Sequence, residues 1–460
     1  MKCKSLTFAG ILSLGTFLTM LPVHAEAEFE KALGTIRKSK SVDDSAVGFG
    51  GVTTGTYLAF KVLKDGASRE ELLKLANDPH VNIRAYAALA LSERFPGESF
   101  SGLLRDKLKD DAAFDFWSGC SREAYMIGDF YFETFAPNLT DPQRLEIAEL
   151  LLQPTKLHAR NFMLAEWDLP ERFLPEILSL VKSGEDGALI ALGRFKRLQD
   201  MPIIAAKTAT NPFEVFRCIQ MNPQPFYLAE LEKLHPALLA EEHHSGEQRQ
   251  FYLALAAFEN VGVLPMFTRV LDDSEQEIPM RKYHLDFIFE AISAHPVPVF
   301  DALKWRFWDE LNKIDLANYN HLIALDENRA TLLTRKTLGQ LDWTISDELL
   351  AAMFIRMGKI DPTLVTSTVT RELAKGEVSR YRFFTEIAER TREKQYVEPL
   401  IRNMETHSNP HVYLAAIKAL LAYKDKEITD RVIAGPAKNP NLSKGWGGEA
   451  YKKMTETITR

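Results

Sequence analysis

An all-α fold of stacked antiparallel helix pairs, an α-solenoid, is predicted by three features of the chain. The first is a recurrence. Asn77-Asp78-Pro79-His80-Val81 near the start and Ser408-Asn409-Pro410-His411-Val412 near the end each lead into an Ala-rich apolar run. The second is punctuation. Asp78-Pro79, Asp141-Pro142, Asn211-Pro212, Asp361-Pro362, Asn409-Pro410 and Asn439-Pro440 all precede plausible helices. An Asx side chain can accept from an orphan N–H of the first turn, and proline there gives up an N–H without an intrahelical partner. The third is period. In Val81, Ala85, Ala88, Leu89 and in Val412, Ala416, Ala419, Leu420, apolar residues fall at i, i+4, i+7 and i+8, a helical stripe.

The elements follow in order. Residues 1–25 read as a signal peptide. Lys2 and Lys4 supply the positive start, Leu6 to Leu21 an apolar stretch too short for a confident span, and Val23-His24-Ala25 the small residues before cleavage. Cys3 precedes the apolar stretch, where a lipoprotein cysteine would follow it. A protein processed this way would be periplasmic or secreted. Residues 26–55 form a lead-in, and Gly48-Phe49-Gly50-Gly51-Val52-Thr53-Thr54-Gly55 reads as its flexible end. That run lacks the Gly-Lys-Ser/Thr of a phosphate loop, and no apolar strand precedes it.

Helices are then expected at 56–63, 69–76, 79–93 and 100–108, and further on at 247–258, 279–293, 346–357, 378–390 and 410–423. Shorter partners are expected at 264–271, 299–311 and 397–404. The longer ones start about 32 residues apart, or twice that, as in helical repeats. The run Thr363 to Thr370 is β-branched enough for a strand, but Asp361-Pro362 before it and Arg371-Glu372-Leu373 after it favour helix. The repeat region spans 56–435, and 436–460 would be a C-terminal capping helix.

Asp78-Pro79-x-Val81-x-x-Arg84-x-x-Ala87-x-x-Ala90-Leu91 resembles the HEAT-repeat signature, in the short bacterial, armadillo-like form. Asn409-Pro410-His411-Val412 is a second match, with Ala415 where the arginine is expected. The stretch from Gly48 to Tyr131 looks like the opening of exported HEAT-like proteins. The resemblance implies a fold and a repeat-to-repeat role for Arg84, and no activity.

Composition narrows the function. The formal charge is −7, and loss of Lys2 and Lys4 would bring it to −9. Without a long basic run this argues against nucleic acid and anionic membranes. Nothing past the leader is apolar enough to cross a bilayer. Cys120 and Cys218 are the cysteines beyond the leader; both are expected as thiols rather than as a disulfide.

No catalytic residue, metal site or cofactor is assigned. His-Glu-x-x-His and Gly-x-Ser-x-Gly are absent. His243-His244 reads as a polar loop, and Pro410 separates His407 from the helix carrying His411. Asp110-Asp111 and Asp272-Asp273 are adjacent acids at helix ends, which is not the facing geometry that glycoside hydrolysis needs. Trp305, Arg306 and Trp308, with His80 and His411, are the tentative binding residues. Aromatic and Arg side chains dominate interface hot spots, although core packing is the commoner fate of Trp at helical spacing. Phe114-Asp115-Phe116-Trp117 is similarly dense. The expectation is a scaffold for a protein or peptide partner in the cell envelope. The rivals are a polysaccharide-acting enzyme on an α/α toroid and a small-ligand or metal sensor.

Overall fold

The computed structural model describes residues 15–456 except 244, 274–276 and 343, with side chains from residue 26 onward. Lys2, Lys4 and the cleavage-site side chains therefore lie outside the described residues. The chain divides into two compact units, Met1–Tyr227 and Leu228–Arg460.

The first unit holds α1 (Gly15–Lys38), α2 (Gly55–Gly66), α3 (Arg69–Leu75), α4 (Val81–Arg94), α5 (Ser101–Lys107), α6 (Ile127–Phe135), α7 (Asp141–Leu151), α8 (Ala159–Glu166), α9 (Leu174–Ser183), α10 (Ala188–Arg194), α11 (Met201–Ala205) and α12 (Pro212–Met221). The division falls inside α13 (Pro225–Leu239). The second unit continues with α14 (Gly246–Ala256), α15 (Leu264–Leu271), α16 (Arg281–Ala294), α17 (Asp301–Leu311), α18 (Leu316–Leu325), α19 (Glu327–Gly339), α20 (Asp347–Ile360) and α21 (Pro362–Lys375). It ends with α22 (Val378–Thr391), α23 (Val397–Thr406), α24 (Pro410–Ala422), α25 (Lys426–Ile433) and α26 (Gly445–Glu456).

The predicted all-α class is what is found, and the packing is that of stacked pairs. In the first unit α3 packs on α4, α5 on α6, α7 on α8 and α9 on α10, while α4, α6, α8, α10 and α12 pack each on the next. In the second unit α14 packs on α16, α18 on α20 and α22 on α24, with α19, α21, α23 and α25 making a second row. Successive even-numbered helices there begin at Gly246, Arg281, Leu316, Asp347, Val378 and Pro410. Leu316 fills the gap that the sequence pattern leaves in that rhythm.

Polar bonds tie each pair to the last. Arg84 on α4 pairs with Asp110 at 3.0 Å and donates to the Asp78 carbonyl at 2.9 Å. Arg160 on α8 pairs with Glu185 at 2.6 Å. Elsewhere a side chain from one pair caps the carbonyl end of a helix in the pair before. Arg371 donates to Leu338 O at 2.6 Å, and Asn439 to Met404 O at 2.8 Å and His407 O at 3.0 Å. Asn403 does the same at Leu373 O, 2.5 Å away. Gly376 closes α21 in the left-handed region (φ +68°), where a Cβ would stand 2.6 Å from Asn403 Oδ1, so this cap needs glycine.

Three Asx-Pro sites behave as expected and three do not. Asp361, Asn409 and Asn439 stand at the cap position and accept from Leu364, His411 and Asn441 N–H, whereas Asn211 stands there without a side-chain cap bond. Before α4 the cap is His80, and Asp78 instead folds the turn by accepting from His80 N at 2.8 Å. Before α7 the cap is Thr140, in a capping box with Gln143.

The α4 stripe also needs correction. Ala85 and Ala88 are buried, but Val81 and Leu89 are only half-buried, and the deepest large side chains are Ile83, Tyr86 and Leu91. Packed on both sides, α4 has no single buried stripe. Val412, Ala416 and Leu420 of α24 are wholly buried.

A small sheet in the first unit was not expected from the sequence. β1 (Ser41–Val47) runs parallel to β2 (Ala113–Gly119), which pairs antiparallel with β3 (Ser121–Met126) across a turn at Gly119-Cys120. The β2–β3 hairpin is an insertion between α5 and α6. β1 is fixed to α4 through Tyr86, whose hydroxyl accepts from Asp43 N at 2.7 Å and donates to Asp43 O at 3.0 Å. The glycine-rich run after β1 is no free lead-in. Val47 and Val52 bond each other in both directions, and Thr54 caps α2. The remainder of the 26–55 segment is the end of α1, whose Ala32, Leu33 and Ile36 are buried.

Candidate binding cleft

In the second unit, a cleft of about 900 Å³ opens where the first half of α16 meets the starts of α18 and α20. Ile278, Leu285, Phe289, Leu311 and Ile314 give it an apolar floor, with Tyr283 at the mouth. Its size and lining fit the general range of ligand sites, about 300–1,000 Å³ and mostly apolar with few polar groups.

The polar groups around it are held in place. Arg281, the first residue of α16, donates to Val270 O at 3.0 Å and Leu271 O at 2.9 Å, which also caps α15. Asp286 is ion-paired with Lys313, whose ammonium lies 5.2 Å from the centre of the Phe289 ring. Asp315 caps α18 by accepting from Asn318 N at 2.7 Å and from its amide at 2.8 Å. Asp342 accepts from Thr344 N at 2.8 Å, and Ser346 caps α20 through Leu349 N at 3.2 Å. Asp273 does more than solvate a helix end, since it accepts from Glu277 and Ile278 N–H and so helps to hold Ile278, which lines the cleft.

Behind the floor, α16 carries His284 on its buried side. Its Nδ1 lies 2.9 Å from the Tyr252 hydroxyl, and Tyr252 also stands edge-on to His235. Burial pushes both imidazoles down to about 4.

The residues singled out in the sequence lie apart from this cleft. Trp305 and Trp308 stack at 5.9 Å in the core, 7% and 1% exposed. Trp308 donates its indole N–H to Thr337 at 2.9 Å, so the pair is taken up by packing and offers no face to a partner. Arg306 is held between Glu310 and Asp272, both at 2.7 Å. His80 starts α4 with a buried Nδ1. His411 is exposed, 5.3 Å from the Trp446 ring.

Cys120 is an exposed thiol and Cys218 a buried one that burial pushes up to about 12. Among the described residues no group of acidic, His and Cys side chains could hold a metal, and no helix is long and apolar enough to cross a membrane. His244 lies outside the described residues.

Sequence reasoning missed the cleft because its lining is drawn from α16, the end of α17 and the segments that lead into α16, α18 and α20, with no motif at any one of them. No family model, curated protein or solved structure matches the chain.

Proposed function

We propose that the chain is an exported, HEAT-like repeat scaffold whose second unit holds an extended segment of a protein or peptide partner in the cleft beside α16. The cleft carries this reading: an apolar floor that can bury side chains, ringed by fixed polar groups that can set orientation. Stacked helix pairs are suited to such extended binding surfaces. Binding is favoured over hydrolysis because the lining carboxylates are committed, Asp286 to Lys313, Asp315 to Asn318 and Asp342 to Thr344. A pair of facing acids for general acid–base work would have to be free to exchange protons with a substrate. Periplasmic or secreted placement rests on the leader at 1–25.

The test is a photo-crosslinking amino acid at Tyr283, at the mouth of the cleft, with a control at exposed Leu332 on α19. In envelope extract the Tyr283 probe should label a discrete polypeptide that the Leu332 probe does not. Phe289→Ala should weaken the capture. Equal labelling from both positions, or none from Tyr283, would remove the cleft as the binding site.

A further inference from the structure

In the first unit, a cavity of about 620 Å³ opens between the last turns of α5 and α7 and the segment that leads into α8. Leu108, Leu150, Leu151, Pro154 and Leu157 wall it. Leu108, Leu151 and Leu157 are buried, so the wall is anchored in the core. Three cations stand around it, Arg105, Lys109 and Lys156, against one acid, Asp111. Asp111 is taken by Lys156 at 3.0 Å, and the neighbouring Asp110 by Arg84 at 3.0 Å. Arg105 and Lys109 are exposed, and among the described residues neither side chain has an ion-pair or hydrogen-bond partner. Leu108 continues the helical bend past the end of α5 (φ −63°), so these two cations stand one helical turn apart. Like charges at that spacing repel. An anion between them relieves the repulsion and pairs with both.

Wall and rim together select the occupant. The wall is hydrocarbon and has little to offer a peptide backbone. Pro154 has no N–H, and Leu157 N is spent on Thr155 Oγ1 at 3.1 Å. A peptide laid against the leucines would bury amides without partners, which is costly. A plain hydrocarbon chain has no such groups to satisfy. Its anionic end belongs at Arg105 and Lys109, where a carboxylate can offer one oxygen to each cation.

We propose that this cavity binds a free fatty acid, with its chain against the leucine wall and its carboxylate between Arg105 and Lys109. The two unpaired cations set the sign of the head, and the wall sets the nature of the tail. The inference is independent of the cleft in the second unit.

Titration calorimetry of the full chain with laurate, kept below its micelle concentration, tests it. Laurate should bind at a single site. Acetate, the head without the chain, should give no binding heat. The neutral chain 1-dodecanol should bind at least about tenfold more weakly than laurate, since it lacks the charged hydrogen bonds. Arg105→Gln/Lys109→Gln should weaken laurate by a similar factor and leave the melting temperature unchanged, because both side chains are exposed and unpaired. Lys452→Gln/Lys453→Gln, an equal loss of charge on α26, should leave laurate binding as it is. Absence of laurate binding would overturn the proposal, as would dodecanol binding as tightly as laurate. So would laurate binding that survives Arg105→Gln/Lys109→Gln, or that falls equally in both double variants.

Discussion

Arg84 makes three contacts at once: an ion pair to Asp110, and donations to the carbonyls of Asp78 and Pro79. Both partners of the ion pair are largely shielded, at 11% and 22% exposure. Charged hydrogen bonds in such settings are worth about 1.5–3 kcal/mol, so Arg84→Ala should cost about 2 kcal/mol in urea unfolding. Arg172→Ala is the control. Its pair with Glu149 is 55% exposed on both sides, and loss of such a pair should cost under about 0.5 kcal/mol. Equal costs would mean that the Arg84 contacts do not bind the repeats together. Leucines on the same helix part in the same way. Leu91 is wholly buried, so Leu91→Ala should cost about 2–5 kcal/mol, and half-buried Leu89→Ala clearly less. The role of Arg84 was legible through the resemblance of Asp78-Pro79-x-Val81-x-x-Arg84 to a repeat signature, which implies a repeat-to-repeat contact there. The depth of Leu89 was not, because a helix packed on two sides buries residues that no single stripe predicts.

Among elements, the helix ends bind the stack. Asn403 and Asn439 are buried and donate to the last carbonyls of α21 and α23, groups with no intrahelical partner. Asn439→Ala would leave Met404 O and His407 O without these bonds, and an unsatisfied buried acceptor costs about 1–3 kcal/mol. Thermal melts should show the loss, whereas Asn439→Asp, which cannot donate, should do no better than alanine. An aspartate as stable as the wild type would show that the carbonyls do not need the amide. Helix positions in the second unit were legible almost to the residue: α15 is found at Leu264–Leu271 and α22 opens at Val378, both as expected. Local caps and apolar period decide such boundaries. The β-branched run in α21 is helical because Asp361 caps it, accepting from Leu364 N at 3.1 Å. The sheet was illegible for the converse reason. β1, Ser41-Val42-Asp43-Asp44-Ser45-Ala46-Val47, is held by Tyr86 and by pairing with a hairpin seventy residues away, and no local pattern encodes either partner. In β2 a period-2 signal was present, since Phe114 and Phe116 turn to Phe130 of α6 while Asp115 and Trp117 face the other way. The cleft shared the sheet's difficulty, being assembled from distant segments that each carry only ordinary caps.

For the molecule as a whole, two histidines sealed in by the fold contribute a defined part of the acid response. His235 on α13 is 3% exposed and His284 on α16 is fully buried, and the Nε2 of each has no hydrogen-bond partner among the described residues. Burial is the main cause for both; around His235 the Arg269 cation and His284 add to it, while His284 faces the Tyr252 hydroxyl from α14. Both folded values are depressed to about 4, from an unfolded value near 6.5. Between those limits the unfolded chain binds more protons than the folded one, so stability rises with pH. The contribution is fully present above about pH 6.5, falls as pH drops through that window, and levels off below about 4. At 1.36 kcal/mol per unit, each histidine can withdraw up to about 3 kcal/mol. Urea unfolding of the wild type against His235→Phe/His284→Asn isolates the effect, because the asparagine can still accept from Tyr252. The variant should start less stable at neutral pH, then lose less on acidification, so that the two curves converge towards pH 4. Parallel curves across that range would show that the imidazoles titrate alike in both states, and that acid enters the fold elsewhere.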